Sequence, residues 1–140
     1  MDVKRFSIGT AVGAVVLFGT GWVIFNYLFA DFYAANVGSA TGVDRAPDAQ
    51  IMWAFVVSAV TYAAAIAYAL GRSAAPWTLA EGAKVGAVVG FLLWATADFG
   101  LYGFTNIANL NRTMVDPLLE LIHGALGGAA IGMTGAMKKG

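Results

Sequence analysis

Three residues near the end of the chain have the types and spacing to do chemistry. In "MVDPLLELIHG", residues 114–124, Asp116, Glu120 and His123 stand four and three positions apart. On a helix that spacing puts two carboxylates and an imidazole on one face. Imidazole titrates near neutrality, so Glu120 and His123 with Asp98 of the third span fit a proton or cation relay. Glu-x-x-His is also the ligand spacing of di-iron helical bundles. Such a centre needs the motif on two helices, and this chain has one His. A single mixed carboxylate–imidazole site, with Asp98, Glu120 and His123 as candidate metal ligands, is the metal reading that remains. The plain alternative takes the trio apart. Asp116 caps a helix whose first residue is Pro117. Glu120 gains modestly from the helix dipole, or pairs with Arg112 or Arg45. His123 hydrogen-bonds across to Asp98 and ties two helices together.

The elements that position these residues are membrane helices. The 140 residues, enough for one domain, are 59% hydrophobic and only 11% charged. A soluble domain carries roughly 25% charged residues, so lipid is expected to cover much of the surface. Four runs have the roughly 20 apolar residues that a span requires: about 7–30, 51–71, 82–104 and 116–137. The fold class expected is therefore all-α, a four-transmembrane-helix bundle forming a single membrane domain over 1–140. The first run is longer than the apolar core of a cleaved signal peptide and is expected to be retained.

Basic residues set the orientation. Lys4, Arg5, Arg72, Lys84, Lys138 and Lys139 fall on one side, and Arg45 and Arg112 on the other. Both termini are then cytoplasmic and the chain is a multi-pass protein of the cytoplasmic (inner) membrane. Loop 31–50 faces outward. Trp53, Tyr33 and Tyr102 are expected in an outer aromatic belt and Trp77 in an inner one. Thr78 with Glu81 has capping-box spacing, and Gly71 stands where a C-cap glycine would follow the second span.

Ionisable groups inside spans are costly and turn toward the bundle interior or a water cavity. Asp98 lies about 9 Å below the end of the third span at 1.5 Å per residue. Glu120 reaches a similar depth, His123 lies a turn deeper, and Asn26 of the first span is level with them. Thr61 and Tyr62 of the second span lie nearer His123. Asp98, Glu120, His123 and Asn26 thus form a candidate polar intramembrane cluster.

Small residues set the packing. Glycines recur every fourth position at 9–13, 82–86–90 and 124–128–132, a spacing that lets helix backbones approach closely. "VGAVV" occurs at 12–16 and again at 85–89, consistent with two tandem helical hairpins.

Several chemistries lack their residues. Without Cys there is no disulfide or thiolate site. No glycine loop follows a strand to cradle phosphate, and no Ser–His–Asp order suggests a hydrolase. One His cannot ligate haem twice, and no cofactor is indicated. Balanced charge, 8 basic against 8 acidic residues, suggests no nucleic-acid partner. Trp22 and Trp94 read as packing residues.

"GAKVGAVVGFLLWATADFGLYGFTNIANLN" followed by "DPLLELIHGALGG" resembles small bacterial four-helix integral membrane proteins of a domain-of-unknown-function family. Asp98, the segment Thr105–Leu110, Glu120 and Gly124 carry the likeness. The resemblance implies fold and membrane location and supplies no activity. Three functions stay open. The first is a non-enzymatic packing or accessory subunit, or a homo-oligomer, whose partners are lipid and other membrane chains. The second is a small transporter or channel with an outward-facing polar pocket. The third is a metal-binding protein or enzyme, which the lone His disfavours.

Overall fold

A computed structural model describes residues 2–135. Lys138 and Lys139, and the end of the span expected at 116–137, lie outside the described residues. The chain is all-α. Helix α1 (Val3–Val23) continues into a π-helical turn (Ile24–Leu28) and a short α2 (Ala30–Ala35). After an irregular loop come α3 (Met52–Arg72), α4 (Leu79–Phe104) and α5 (Leu110–Met133). Four helices, Val3–Leu28, Met52–Arg72, Leu79–Phe104 and Leu110–Met133, are long and apolar enough to cross a membrane.

Their ends follow local chemistry. Asp2 accepts from the Lys4 and Arg5 amides and starts α1. Thr78 accepts from the Glu81 amide and starts α4, as its spacing leads one to expect. The Glu81 side chain turns instead to Lys84, 2.8 Å away. Two expected boundaries move. Helix α3 runs through Gly71 to Arg72, and Ser73 follows in an extended conformation. Helix α5 starts six residues before Asp116, because Asn109 already caps it by accepting from the Arg112 amide. Asp116 is therefore not a helix cap, and Pro117 is an interior residue.

The helices pair as α1 with α3 and α4 with α5, and α5 also packs on α1. The α4–α5 contact is the most extensive, and its cause is the glycine stripes. A Cβ added at Gly82, Gly86 or Gly90 would strike the carbonyl of Gly128, Gly124 or Glu120. Added at Gly124, Gly128 or Gly132, it would strike the carbonyl of Gly86, Gly82 or Thr78. The helices are antiparallel and meet backbone to backbone, with the Tyr62 hydroxyl of α3 entering the seam between Gly90 and Gly124. Such an approach suits Cα–H···O contacts and close dispersion packing, the main attractions available between helices in lipid.

The α1–α5 seam uses the same four-residue spacing differently. Large groups of one helix sit on glycines of the other: Ile131 on Gly9 and Gly13, Leu17 on Gly127, and the His123 ring on Gly21. The glycines of the two "VGAVV" copies therefore meet unlike surfaces, side chains at Gly13 and backbone at Gly86. Ala63, Ile66, Ala67 and Leu70 of α3 close the core against Leu17 and Ile131. Trp77 is buried in this core, with Arg5 over its ring at 4.7 Å, and not in an interfacial belt.

At the opposite end the loops bind each other. Gly38 donates to the Ile107 carbonyl and Ala40 to that of Asn106, each at 2.9 Å. The Asn109 side chain donates to that of Asn36 at 3.1 Å. We call this the loop end.

Gly86→Val places methyl groups on the Gly124 backbone and should lower stability by about 1–3 kcal/mol, as overpacking does. Gly100→Ala meets nothing within 4 Å. It should be neutral or stabilise by about 0.5–1 kcal/mol through helix propensity. Melting curves of the two variants in one detergent check the contrast.

Candidate functional site

A cavity of about 470 Å³ opens between α1, α3 and α5, with Trp94 of α4 in its wall. The geometry of α5 explains which residues reach it. Arg112, Asp116, Glu120, Gly124, Gly128 and Gly132 form one four-residue series. At 3.6 residues per turn such a series rotates by about 40° per step. Its glycines consequently face α4, while Arg112, Asp116 and Glu120 have turned to the cavity. His123 leads the neighbouring series His123–Gly127–Ile131, which faces α1.

All three members of the fourth-helix trio are buried, with exposures of 8% for Asp116, 3% for Glu120 and 6% for His123. His123 Nδ1 lies 2.9 Å from Glu120 Oε2. His123 Nε2 lies 2.9 Å from the Leu17 carbonyl oxygen on α1. A carbonyl oxygen only accepts, so Nε2 carries its hydrogen and donates. A second proton must then stand between Nδ1 and Oε2, because two facing lone pairs would repel. The pair holds it as carboxylic acid with neutral imidazole, or as carboxylate with imidazolium; either way the pair is neutral overall. Gly21 makes this possible. It lies one turn beyond Leu17, and without a Cβ it leaves the Leu17 carbonyl open to the ring.

Aromatic rings fix the imidazole from both sides. Phe25 and Tyr62 meet it edge-on at centroid distances of 5.6 and 5.7 Å. The Tyr62 hydroxyl donates to the Glu120 carbonyl at 3.3 Å, in the notch between Gly90 and Gly124. At the mouth, Tyr33 of α2 donates its hydroxyl hydrogen to the Asp116 carboxylate. Arg112 stacks over the Tyr33 ring at 4.9 Å. The π-helical turn shifts α1 out of regular register beside the cavity, where Phe25 and Asn26 line the wall. Such turns often mark working parts of a helix.

The expected cluster is partly assembled. Glu120, His123 and Asn26 line the cavity, and so does Asp116. Asp98 does not, and it makes no bond to His123. The imidazole ties α5 to α1, whereas α4 meets α5 along the glycine seam. The charges acting on Asp98 are those of Arg112 and Glu120. Its Oδ2 is buried without a hydrogen-bond partner, as is the Trp94 indole nitrogen. Thr61 turns back to the Val57 and Ser58 carbonyls of its own helix.

Both His123 nitrogens are engaged, and among the described residues no group of three His, Cys, Asp or Glu side chains is placed to hold a metal ion. Gly21 and the Leu17 carbonyl are not singled out from sequence, and Tyr33, expected only in an outer aromatic belt, joins the site through Asp116. Trp22 and Trp94 line the cavity rather than only packing. The one sequence signal that marks the α1 surface is the four-residue series Gly9–Gly13–Leu17–Gly21.

Replacing His123 by Leu strands the buried Glu120 carboxyl and should cost about 1–3 kcal/mol. Replacing Glu120 by Leu as well removes the stranded group and should recover most of that loss, since exchanging both partners for apolar groups is near neutral. Additive losses across this double-mutant cycle would mean the two side chains are uncoupled.

No family model, no curated protein and no solved structure matches the chain.

Proposed function

We propose that four candidate spans enclosing a ligand cavity make this chain a small multi-pass carrier. It takes a small, partly apolar molecule from the loop end to the Glu120–His123 pair. The observation that carries the reading is the cavity itself, where buried ionisable groups converge within aromatic walls. Small-molecule sites have this constitution: a mostly apolar cavity of roughly 300–1,000 Å³ with a few placed polar groups. The unpartnered Trp94 indole nitrogen adds a donor in the wall. Structural glue is a poorer account, because the helices already have two glycine seams. Buried ionisable residues in a membrane helix are costly, and here they surround open space.

The accessory-subunit or homo-oligomer reading keeps one supporting observation. Helix α4 is the least enclosed of the four, and Val88, Leu92, Leu93 and Phe99 are uncovered. A partner helix would seat there as readily as lipid. For topology, the distribution of basic residues favours cytoplasmic termini and a loop end facing outward.

Ala59 is buried in the cavity wall. Ala59→Leu should raise the melting temperature by filling space while reducing uptake into reconstituted liposomes at least about tenfold. Uptake that survives the filling would sink the carrier reading. The chain has no Cys, so single-cysteine labelling is clean. Ser39→Cys should react with a membrane-impermeant maleimide in intact cells, and Ser73→Cys only after permeabilisation. The reverse pattern would invert the topology.

A further inference from the structure

We infer that the cavity takes an amphipathic organic cation in exchange for the proton held between Glu120 and His123. The inference rests on the ligand-cavity reading and adds the ligand's class and its coupling. Charge arithmetic on the wall is the starting point. The lining includes Arg112, Asp116, Glu120 and His123. Arg112 and Asp116 each contact Tyr33, one by stacking and the other at its hydroxyl, and with Asp116 as carboxylate their charges sum to zero. The Glu120–His123 pair is neutral with its one shared proton. The lining is thus neutral with that proton present and carries one negative charge without it. An unbalanced charge at this depth is costly, so a monovalent cation in the cavity can take over the proton's role.

The walls say what sort of cation. Phe18, Trp22, Phe25, Phe55, Tyr62 and Trp94 present ring surface to the space. Aromatic faces attract a weakly hydrated organic cation and reward it most when it is desolvated. A bare metal ion would find no set of three carboxylate or imidazole ligands among the described residues. Asp98 of α4 lies outside the lining, and the charged groups acting on it are Arg112 and Glu120. The other titratable groups near the pair are Tyr62 on α3, Tyr33 on α2, and Asp116 and Arg112 on α5. Helix α1 lines the cavity with no titratable side chain.

The exchange balances. The cation enters and its water is released. The Nδ1–H or Oε2–H bond breaks, one proton leaves to solvent, and the Glu120 carboxylate, no longer bridged to Nδ1, swings from neutral His123 to the cation. The Nε2–H bond to Leu17 is kept throughout, so the ring does not have to turn. No electrons move.

Trp22 and Trp94 line the cavity, so indole fluorescence of the full chain in lipid nanodiscs reads occupancy. The probes are benzyltrimethylammonium, its neutral carbon isostere neopentylbenzene, and phenylacetate. The cation should quench saturably and bind at least about tenfold tighter than the neutral isostere. A pH indicator in weak buffer should report one proton released per cation bound. Glu120→Gln should abolish the release. Phe55→Leu removes a ring from the lining without touching its charge, so it should weaken binding and leave the release intact, and it keeps a test in hand should Glu120→Gln not fold. Equal binding of all three probes would overturn the cation inference and leave the ligand cavity standing, as would tighter binding of phenylacetate. Cation binding without proton release would overturn the exchange. Failure of every probe to bind would count against cavity and inference together.

Discussion

The structure depends on the contact of two backbones along α4 and α5. Six positions, three on each helix, have no room for a Cβ because a carbonyl of the neighbouring helix already occupies it. Lipid gives no hydrophobic reward for bringing two apolar helices together, so association has to come from close packing and backbone contacts. Glycine stripes supply both. The seam makes α4 and α5 a single antiparallel unit and leaves the polar residues of α5 free of any duty to hold α4. That freedom is why Glu120 and His123 are able to face a cavity.

The second seam works by shape. Gly9, Gly13 and Gly21 of α1 and Gly127 of α5 each receive a larger group from the other helix, and at Gly21, toward the loop end, that group is the imidazole. His123 is thus placed by the same packing that places Leu17 and Ile131. Its hydrogen bond to Leu17 follows from the hole that Gly21 leaves. A packing motif has become a device that fixes a tautomer: the carbonyl holds Nε2–H, and only the Nδ1 side is left to exchange a proton with Glu120. Second-partner control of this kind is how proteins commonly set the chemistry of histidine.

The loop end completes the site from sequence far away. Tyr33 returns from α2 to Asp116 across 83 residues, and Arg112 covers its ring. Hydrogen bonds between the 36–40 and 106–109 segments hold the two hairpins together at that end. The site thus draws on both hairpins.

Much of the fold was legible because membrane helices are written in composition and period. Four apolar runs, the four-residue glycine stripes and the misplaced Glu120 and His123 are properties of single segments, and the lipid constraint acts on single segments. Asp116 was misread because Asp-Pro is a good helix opening in isolation, whereas Asn109 caps the helix first and Pro117 is accommodated within it. Trp77 was misread because an aromatic near a span end suits an interface, whereas a glycine across the bundle made a slot for it. The sequence by itself determined that there would be four helices long and apolar enough to cross a membrane, glycine seams and buried ionisable groups. Only the tertiary structure decided which carbonyl His123 meets, that Asp98 stands apart, and that a cavity lies between them. Those depend on how far each helix turns before it meets its neighbour, and no single segment records that angle.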